Sequence, residues 1–465
     1  MSSDLEWPTL ARTLAGDLLT PDAPGYDLAR KPPIPLFQDV RPAAVLRPRC
    51  EADVAAGLSF ARRSGLPVVV RGGGHSFAGL SSTTGLLIDL SPMDQVELGG
   101  EVAAIGAGAL LAHVYDALDD HGLTIAAGCG PTVGISGLTL GGGLGILGRT
   151  HGLTCDQVLS ARVVLADGRV VECDEQREPE LFWAVRGGGG IGVVTRWHLQ
   201  TVPVPETTTF HLSWPAEAVP ALIEAWQHWS PDAPDALSAS LLVTAGPDPV
   251  RPPTPHVFGA FQGGRSGADD LLDDLVARVG LAPGTREGDT SSYRAAKARL
   301  VRLGDGFGMA AHGPDAADRH GYHKSEYFDR LLPQSAIDEM SSMLTRRPPG
   351  VGCELDLMPW GGAYNRVALG DTAFVHRTDR FLVRYAVSVD PGATDGDRAG
   401  AQDWLDRSWQ ALHPHGTGRA YQNFPDVALD DQERAYYGDN LDRLLQARDA
   451  YDPDRLLTPA RRARL

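Results

Sequence analysis

A histidine that closes a run of three glycines is the first group in this chain placed to do chemistry. Arg71-Gly72-Gly73-Gly74-His75-Ser76-Phe77-Ala78-Gly79 follows directly on the β-branched run Val68-Val69-Val70. Glycines lack a Cβ, so their backbone can approach a ligand closely and aim successive N–H groups at phosphate oxygens. Gly141-Gly142-Gly143 and Gly187 to Gly190 repeat the arrangement. One such loop is adequately explained as a tight turn. Three in one half of a chain match the needs of a diphosphate joined to a flat ring system. His75 could cap its turn, which is the usual work of a lone histidine. Its ring nitrogen is also a nucleophile, and a bond from it to the methyl carbon of an oxidised flavin would tether that cofactor and make it more oxidising.

A rival motif overlaps the second tract. Gly143-Leu144-Gly145-Ile146-Leu147-Gly148 fits the dinucleotide string GxGxxG, with Asp167 downstream. That fingerprint needs a buried strand before its first glycine. Gly134-Ile135-Ser136-Gly137-Leu138-Thr139-Leu140-Gly141 reads as a poor one, so nicotinamide binding is set aside. The 5 cysteines (Cys50, Cys129, Cys155, Cys173, Cys353) are scattered and never form a CxxC pair. Neither a zinc site nor a disulfide framework follows from that spacing, and no metal is expected.

The elements that must position these loops are readable from periodicity. Glu51 to Ser64 carries apolar residues at helical spacing and ends at Gly65-Leu66-Pro67. Gly85 to Leu90 is a buried strand. A helix spans Leu110 to His121, and Val158 to Leu165 pairs with Arg169 to Cys173 across Asp167-Gly168. Glu180 to Gly190 turns into a strand at Gly192 to Leu199. The composition shifts at Val202-Pro203-Val204-Pro205, where a domain boundary is expected. Beyond it, strand patterns at His211–Trp214, Leu237–Val243, Glu354–Met358 and Phe381–Val389 alternate with helices such as Ala216 to Trp229. This predicts an antiparallel sheet covered on one face. Glu433 to Tyr451 reads as one final helix ending at Asp452-Pro453.

Arg71-Gly-Gly-Gly-His-Ser76, Gly85-Leu-Leu-Ile-Asp-Leu-Ser91, Val133-Gly-Ile-Ser-Gly137-Leu-Thr-Leu-Gly141-Gly142-Gly-Leu-Gly145, His151-Gly-Leu-Thr154, Leu181-Phe-Trp-Ala-Val-Arg-Gly187, Tyr421-Gln-Asn423-Phe424 and Tyr451-Asp-Pro453 occur in this order. Together they resemble the berberine-bridge-enzyme-like FAD-linked oxidases of the vanillyl-alcohol-oxidase superfamily, over nearly the whole chain. The resemblance implies an α+β protein: a two-subdomain PCMH-type FAD-binding module and an α+β substrate domain with an antiparallel sheet. Its expected divisions are 1–205 (subdomains 35–100 and 101–205), 206–416, and a C-terminal segment 417–465 returning to the FAD module. It implies FAD bound covalently through His75. It further implies cofactor contacts from Arg71, Gly72, Gly73, Gly74, Ser76, Gly79, Val133, Gly134, Gly137, Gly141, Gly142, Gly145, Gly192, Val193 and Asn423. Valine at position 133 matches relatives that admit oxygen, so molecular oxygen is the expected electron acceptor and hydrogen peroxide the product. A small organic alcohol, amine, phenol or secondary-metabolite intermediate is the expected substrate. A flavin-dependent dehydrogenase, a cyclising enzyme or a non-catalytic flavin binder are the alternatives.

The chain departs from the family at its chemistry. Many relatives carry a second cysteine tether just before Pro-x-Val-Gly. Here Gly130 holds that place and Cys129 sits one residue early, so a single tether is expected. The tract Gly187-Gly-Gly-Gly-Ile-Gly192 is one residue short, and Asp452-Pro-Asp-Arg-Leu-Leu457 follows its family pattern loosely. Val383 and Phe424 occupy the places of the usual bases. Candidate catalytic groups are therefore Glu354 and Asp356 on one strand face, Tyr385 on the face of Val383, and Tyr421 with Asn423. A buried carboxylate could serve as general base, or could simply pair with an arginine such as Arg384. Trp214, Trp360 and Tyr364 read as core fillers, with pocket lining as the alternative role for each.

A formal charge of −17 argues against a nucleic-acid partner. No apolar run reaches the ~20 residues of a membrane span, and the acidic start is unlike a secretory signal. A cytoplasmic protein is expected; the sequence leaves its oligomeric state open.

Overall fold

The computed structural model describes residues 6–306 and 320–457; the acidic start Met1 to Leu5 and the ends of the outer divisions lie outside them. Two sheets occupy the first 200 residues. Strands Asp17–Leu19, Ala44–Arg47, Leu86–Asp89 and Val68–Arg71 lie side by side in that order. The last three run parallel, and Asp17–Leu19 pairs antiparallel at the edge. The helix Glu51–Ser64 covers them, stopped by Gly65 at φ 63°, a left-handed C-cap. The next sheet is antiparallel: Val96–Gly99, Val102–Gly106, Val193–Gln200, Val158–Val164 and Val170–Cys173. Where the dinucleotide motif would need a strand, residues Ile135–Leu140 form a helix.

The third sheet has seven antiparallel strands, ordered Thr285–Ser291, Thr207–Ser213, Thr254–Gln262, Leu237–Ala245, Gly352–Pro359, Phe381–Val389 and His320–Phe328. Helices Val219–Trp229, Gln334–Thr345 and Asp395–Leu412 bury their apolar stripes in a core shared with one face of it. That core takes the odd-numbered side chains of the fifth and sixth strands, Cys353, Leu355 and Leu357, and Val383, Tyr385 and Val387. Strand alternation then turns Glu354, Asp356, Met358 and Arg384 to the opposite face. Trp214, expected as a core filler, lies in the same core.

The sheet is stapled to the glycine-rich half by buried arginines. Arg149 donates to the carbonyls of Pro231, Ala233 and Trp360, and Arg377 forms a bidentate pair with Asp156 at 2.6 and 2.9 Å. The C-terminal segment returns to the first half: Gln422 Nε2 donates to the Gly187 carbonyl, and Arg443 pairs with Glu180. Its final helical part, Glu433 to Tyr451, is not the one helix its apolar period suggested. Gln432–Tyr437 and Leu441–Tyr451 are separated by a short 3₁₀ turn starting at Gly438, whose φ of 47° breaks the regular α-helix.

Candidate active site

A cavity of about 860 Å³ lies between the glycine loops and the open face of the seven-stranded sheet. Gly72 to Ser76 line it from the first loop, residues 128–134 with Gly137 and Gly145 from the second tract, and Gly190, Gly192 and Val193 from the third. A Cβ built on Gly137 would meet no protein atom within 4 Å, and one on Gly72 would come no closer than 3.7 Å. Gly137 points at open space, and Gly72 could carry a Cβ only in contact with the Ala107 carbonyl. Gly73 is glycine for another reason. It packs so tightly on the second tract that a Cβ would come within 2.3 Å of the Gly134 nitrogen. The result is a backbone-walled cradle continuous across loops distant in sequence, which fits an extended cofactor such as FAD.

His75 stands at the end of this cradle, its Nε2 3.0 Å from the Thr132 hydroxyl. Burial lowers its pKa below the ordinary imidazole value, which favours the neutral, nucleophilic ring. Cys129 also lines the cavity, but burial raises its thiol pKa despite nearby Lys297. A protonated thiol is a poor nucleophile.

Several residues expected at the cofactor do not touch the cavity. Arg71 turns away and donates to the carbonyls of Ala29, Arg30 and Ser81, fixing the chain just before Pro33, which does line the cavity. A Cβ on Gly79 would strike the Phe37 ring at 2.7 Å, one on Gly141 the Asn423 amide, and one on Gly142 the Phe374 ring. These three glycines admit neighbouring side chains and do not line the cradle. Sequence could not separate the two uses, because both demand a missing Cβ.

The opposite wall carries side chains. Asp356 lines the cavity, whereas Glu354, on the same strand face, does not. Arg384 stands opposite Asp356 in the strand register and binds both carboxylates, Glu354 at 3.1 Å and Asp356 at 3.4 Å. One Asp356 oxygen keeps no hydrogen-bond partner. Burial, offset by Arg384 and reinforced by Glu354, pushes the Asp356 pKa up to about 6. Tyr385 is the clear correction: it points into the helix-covered core with Val383, on the face away from the cavity. A one-residue offset along a strand exchanges the two faces, so counting from a distant motif cannot decide such a position.

Tyr421 and Asn423 line the cavity, but their polar atoms serve the second glycine tract. The Tyr421 hydroxyl accepts from the Gly143 N–H at 3.1 Å and from Asn423 Nδ2 at 3.0 Å, and Asn423 also donates to the Leu138 carbonyl. Burial raises the Tyr421 pKa to about 12. That phenol buttresses the loop. Trp360 and Tyr364, expected in the core, are buried and also border the cavity.

Sequence reading missed Thr132, His323, Phe77, Ser238 and Ser240, all in the cavity wall. Only the serine pair left a trace: polar residues two apart in an otherwise apolar strand, Leu237 to Val243.

The geometry agrees with sequence comparison. Residues 42–174 match the FAD binding domain family, and residues 420–458 match the family described as berberine and berberine like. An uncharacterized FAD-linked oxidoreductase of Bacillus subtilis, YgaK, is 30% identical over 453 residues, 95% of each chain. A chitooligosaccharide oxidase of Gibberella zeae is 29% identical, covering 89% of this chain and 86% of its own. The structure of BBE-like 1 from Physcomitrella patens superposes with a TM-score of 0.84 at 26% identity, over 97% of both chains. Backbone cradle, histidine and returning C-terminal segment thus sit in a chain that belongs to the berberine-bridge-enzyme-like FAD-linked oxidoreductases.

Proposed function

We propose that this protein is an oxidase in which His75 carries FAD covalently and Asp356 takes the proton from a small organic substrate. The observation that carries the reading is Asp356. It is a buried carboxylate in the cavity wall, with one oxygen free and a pKa near 6. Bound FAD would supply the hydride acceptor. The chain's own residues do the rest. The glycine loops orient the cofactor through backbone groups, and the neutral His75 imidazole fixes it. Arg384 holds Asp356 in place while leaving its second oxygen for a substrate hydroxyl or amine. A carboxylate poised near neutrality both accepts and releases a proton readily, as a general base must. Electrons leaving to oxygen would give hydrogen peroxide; a valine at position 133, in the cavity wall, supports that acceptor. Residues 1–205 with 417–465 act as the cofactor module, and 206–416 supply the substrate wall. The raised thiol pKa of Cys129 supports one tether over two.

The test is direct. Acid-precipitated protein should stay yellow, His75→Ala should release the colour, and turnover in air should generate peroxide. Colourless protein that cannot be reconstituted with FAD would end this reading. Electron transfer to artificial acceptors alone, with no peroxide, would make it a dehydrogenase instead.

A further inference from the structure

The charge census of the cavity narrows the substrate. Among the described residues, Asp356 is the one Asp, Glu, Lys or Arg side chain in the cavity wall. Arg384 lies behind it, engaged with Asp356 and Glu354, so the cluster presents a carboxylate and no cation to the interior. Burying an anion beside a carboxylate with no partner is strongly unfavourable. The backbone N–H groups that could hold an anion lie on the opposite wall, in the glycine loops that form the cofactor cradle.

Elsewhere the cavity wall carries apolar and aromatic side chains. Phe77 packs on His323 at 4.3 Å between centroids and on Phe424 at 6.2 Å. Met358 and Phe258 come from the sheet, and Leu300 from the helix Tyr293–Gly306. Against them, the sheet offers two small hydroxyls, Ser238 and Ser240, in a row on one strand face. An oligosaccharide, with a hydroxyl on nearly every carbon, would leave most of its polar groups unpaired on such a wall. A flat ring between aromatic faces, with one donor directed to the free Asp356 oxygen, would leave none.

From this we infer that the substrate is an aromatic molecule bearing one reactive alcohol or amine and no anionic group, with Asp356 as its specificity-determining contact. The inference rests on the oxidase reading above and specifies the same site. A cationic amine gains most, because it is the one class that can pair with the free oxygen of Asp356.

The experiment uses the FAD-loaded protein without oxygen and titrates 4-methoxybenzylamine, 4-methoxybenzyl alcohol, 4-(hydroxymethyl)benzoate and cellobiose. Binding is read from perturbation of the flavin spectrum, separately from its bleaching. The amine and the neutral alcohol should bind at least tenfold more tightly than the benzoate or cellobiose. Asp356→Asn should cost the amine at least tenfold and the neutral alcohol much less. Ser240→Lys, which adds a cation to the wall, should reverse the order of alcohol and benzoate. Binding of benzoate or cellobiose as tightly as the amine overturns the inference, as does binding of none of the four while dithionite still bleaches the flavin. In both cases the retained flavin leaves the cofactor reading standing; failure to hold FAD at all removes that reading instead.

Discussion

The cavity has two walls built on different principles. The wall of residues 72–76, 128–138 and 190–193 presents mainly backbone: glycines, one imidazole, and no Asp, Glu, Lys or Arg. The wall of the seven-stranded sheet presents side chains that alternate out of strands, and among the described residues its one such charge is Asp356. Backbone recognition suits a constant ligand, since N–H groups are the same in every residue. Side-chain recognition suits a variable one, since any position can be exchanged without disturbing the sheet ladder. The cofactor wall should therefore fail completely when a key position is filled, and the substrate wall by degrees.

The largest expected effect is on the first wall. His75→Ala should abolish cofactor retention through denaturation, measured as flavin absorbance in the acid pellet. Gly137→Val, whose side chain would project into the cradle, should prevent FAD uptake in a folded protein, read by absorbance alongside circular dichroism. On the second wall, Asp356→Asn should lower kcat by roughly 10²- to 10⁴-fold, the range for a lost general base, with flavin content unchanged. Arg384→Met would remove the guanidinium that pairs with both Glu354 and Asp356. It should destabilise the fold by about 3–5 kcal/mol in denaturant titration. Cys129→Ala should change cofactor retention least; a released flavin there would show that both side chains hold it.

pH sharpens the contrast further. If Asp356 is the base, kcat/KM falls as pH drops through about 6, and Asp356→Asn loses that limb. Stability runs the other way. The folded-state pKa of Asp356 is raised, so its contribution is present at low pH and is lost as pH rises through about 6. Asp379, buried with both oxygens unpartnered and raised to about 7, adds in the same sense. The change in stability caused by Asp356→Asn should consequently be more favourable at pH 8 than at pH 5. The opposite order would contradict the raised pKa.

The cofactor wall was largely legible in the sequence. Strand, glycine run and histidine are contiguous at Val68 to His75, and the helix Glu51–Ser64 has the bounds its period predicts. The substrate wall was legible only as strands. Phe381–Val389 appears with its predicted limits, yet the sequence could not say which face Tyr385 takes, because all nine of its residues are buried and the alternation that marks a half-exposed strand is missing.

What the amino-acid order determined by itself was local: where backbone must lack a Cβ, where a nucleophilic ring follows, and where regular structure starts and stops. Those depend on sterics and hydrogen bonding within a few residues. Tertiary structure alone decided which glycines face the cavity and which admit Phe37, Asn423 or Phe374, that Arg71 holds three carbonyls, and that Arg384 stands across from Asp356. Each of these is a contact between segments far apart in the chain, set by sheet register and packing, and no local pattern encodes the partner that arrives from elsewhere.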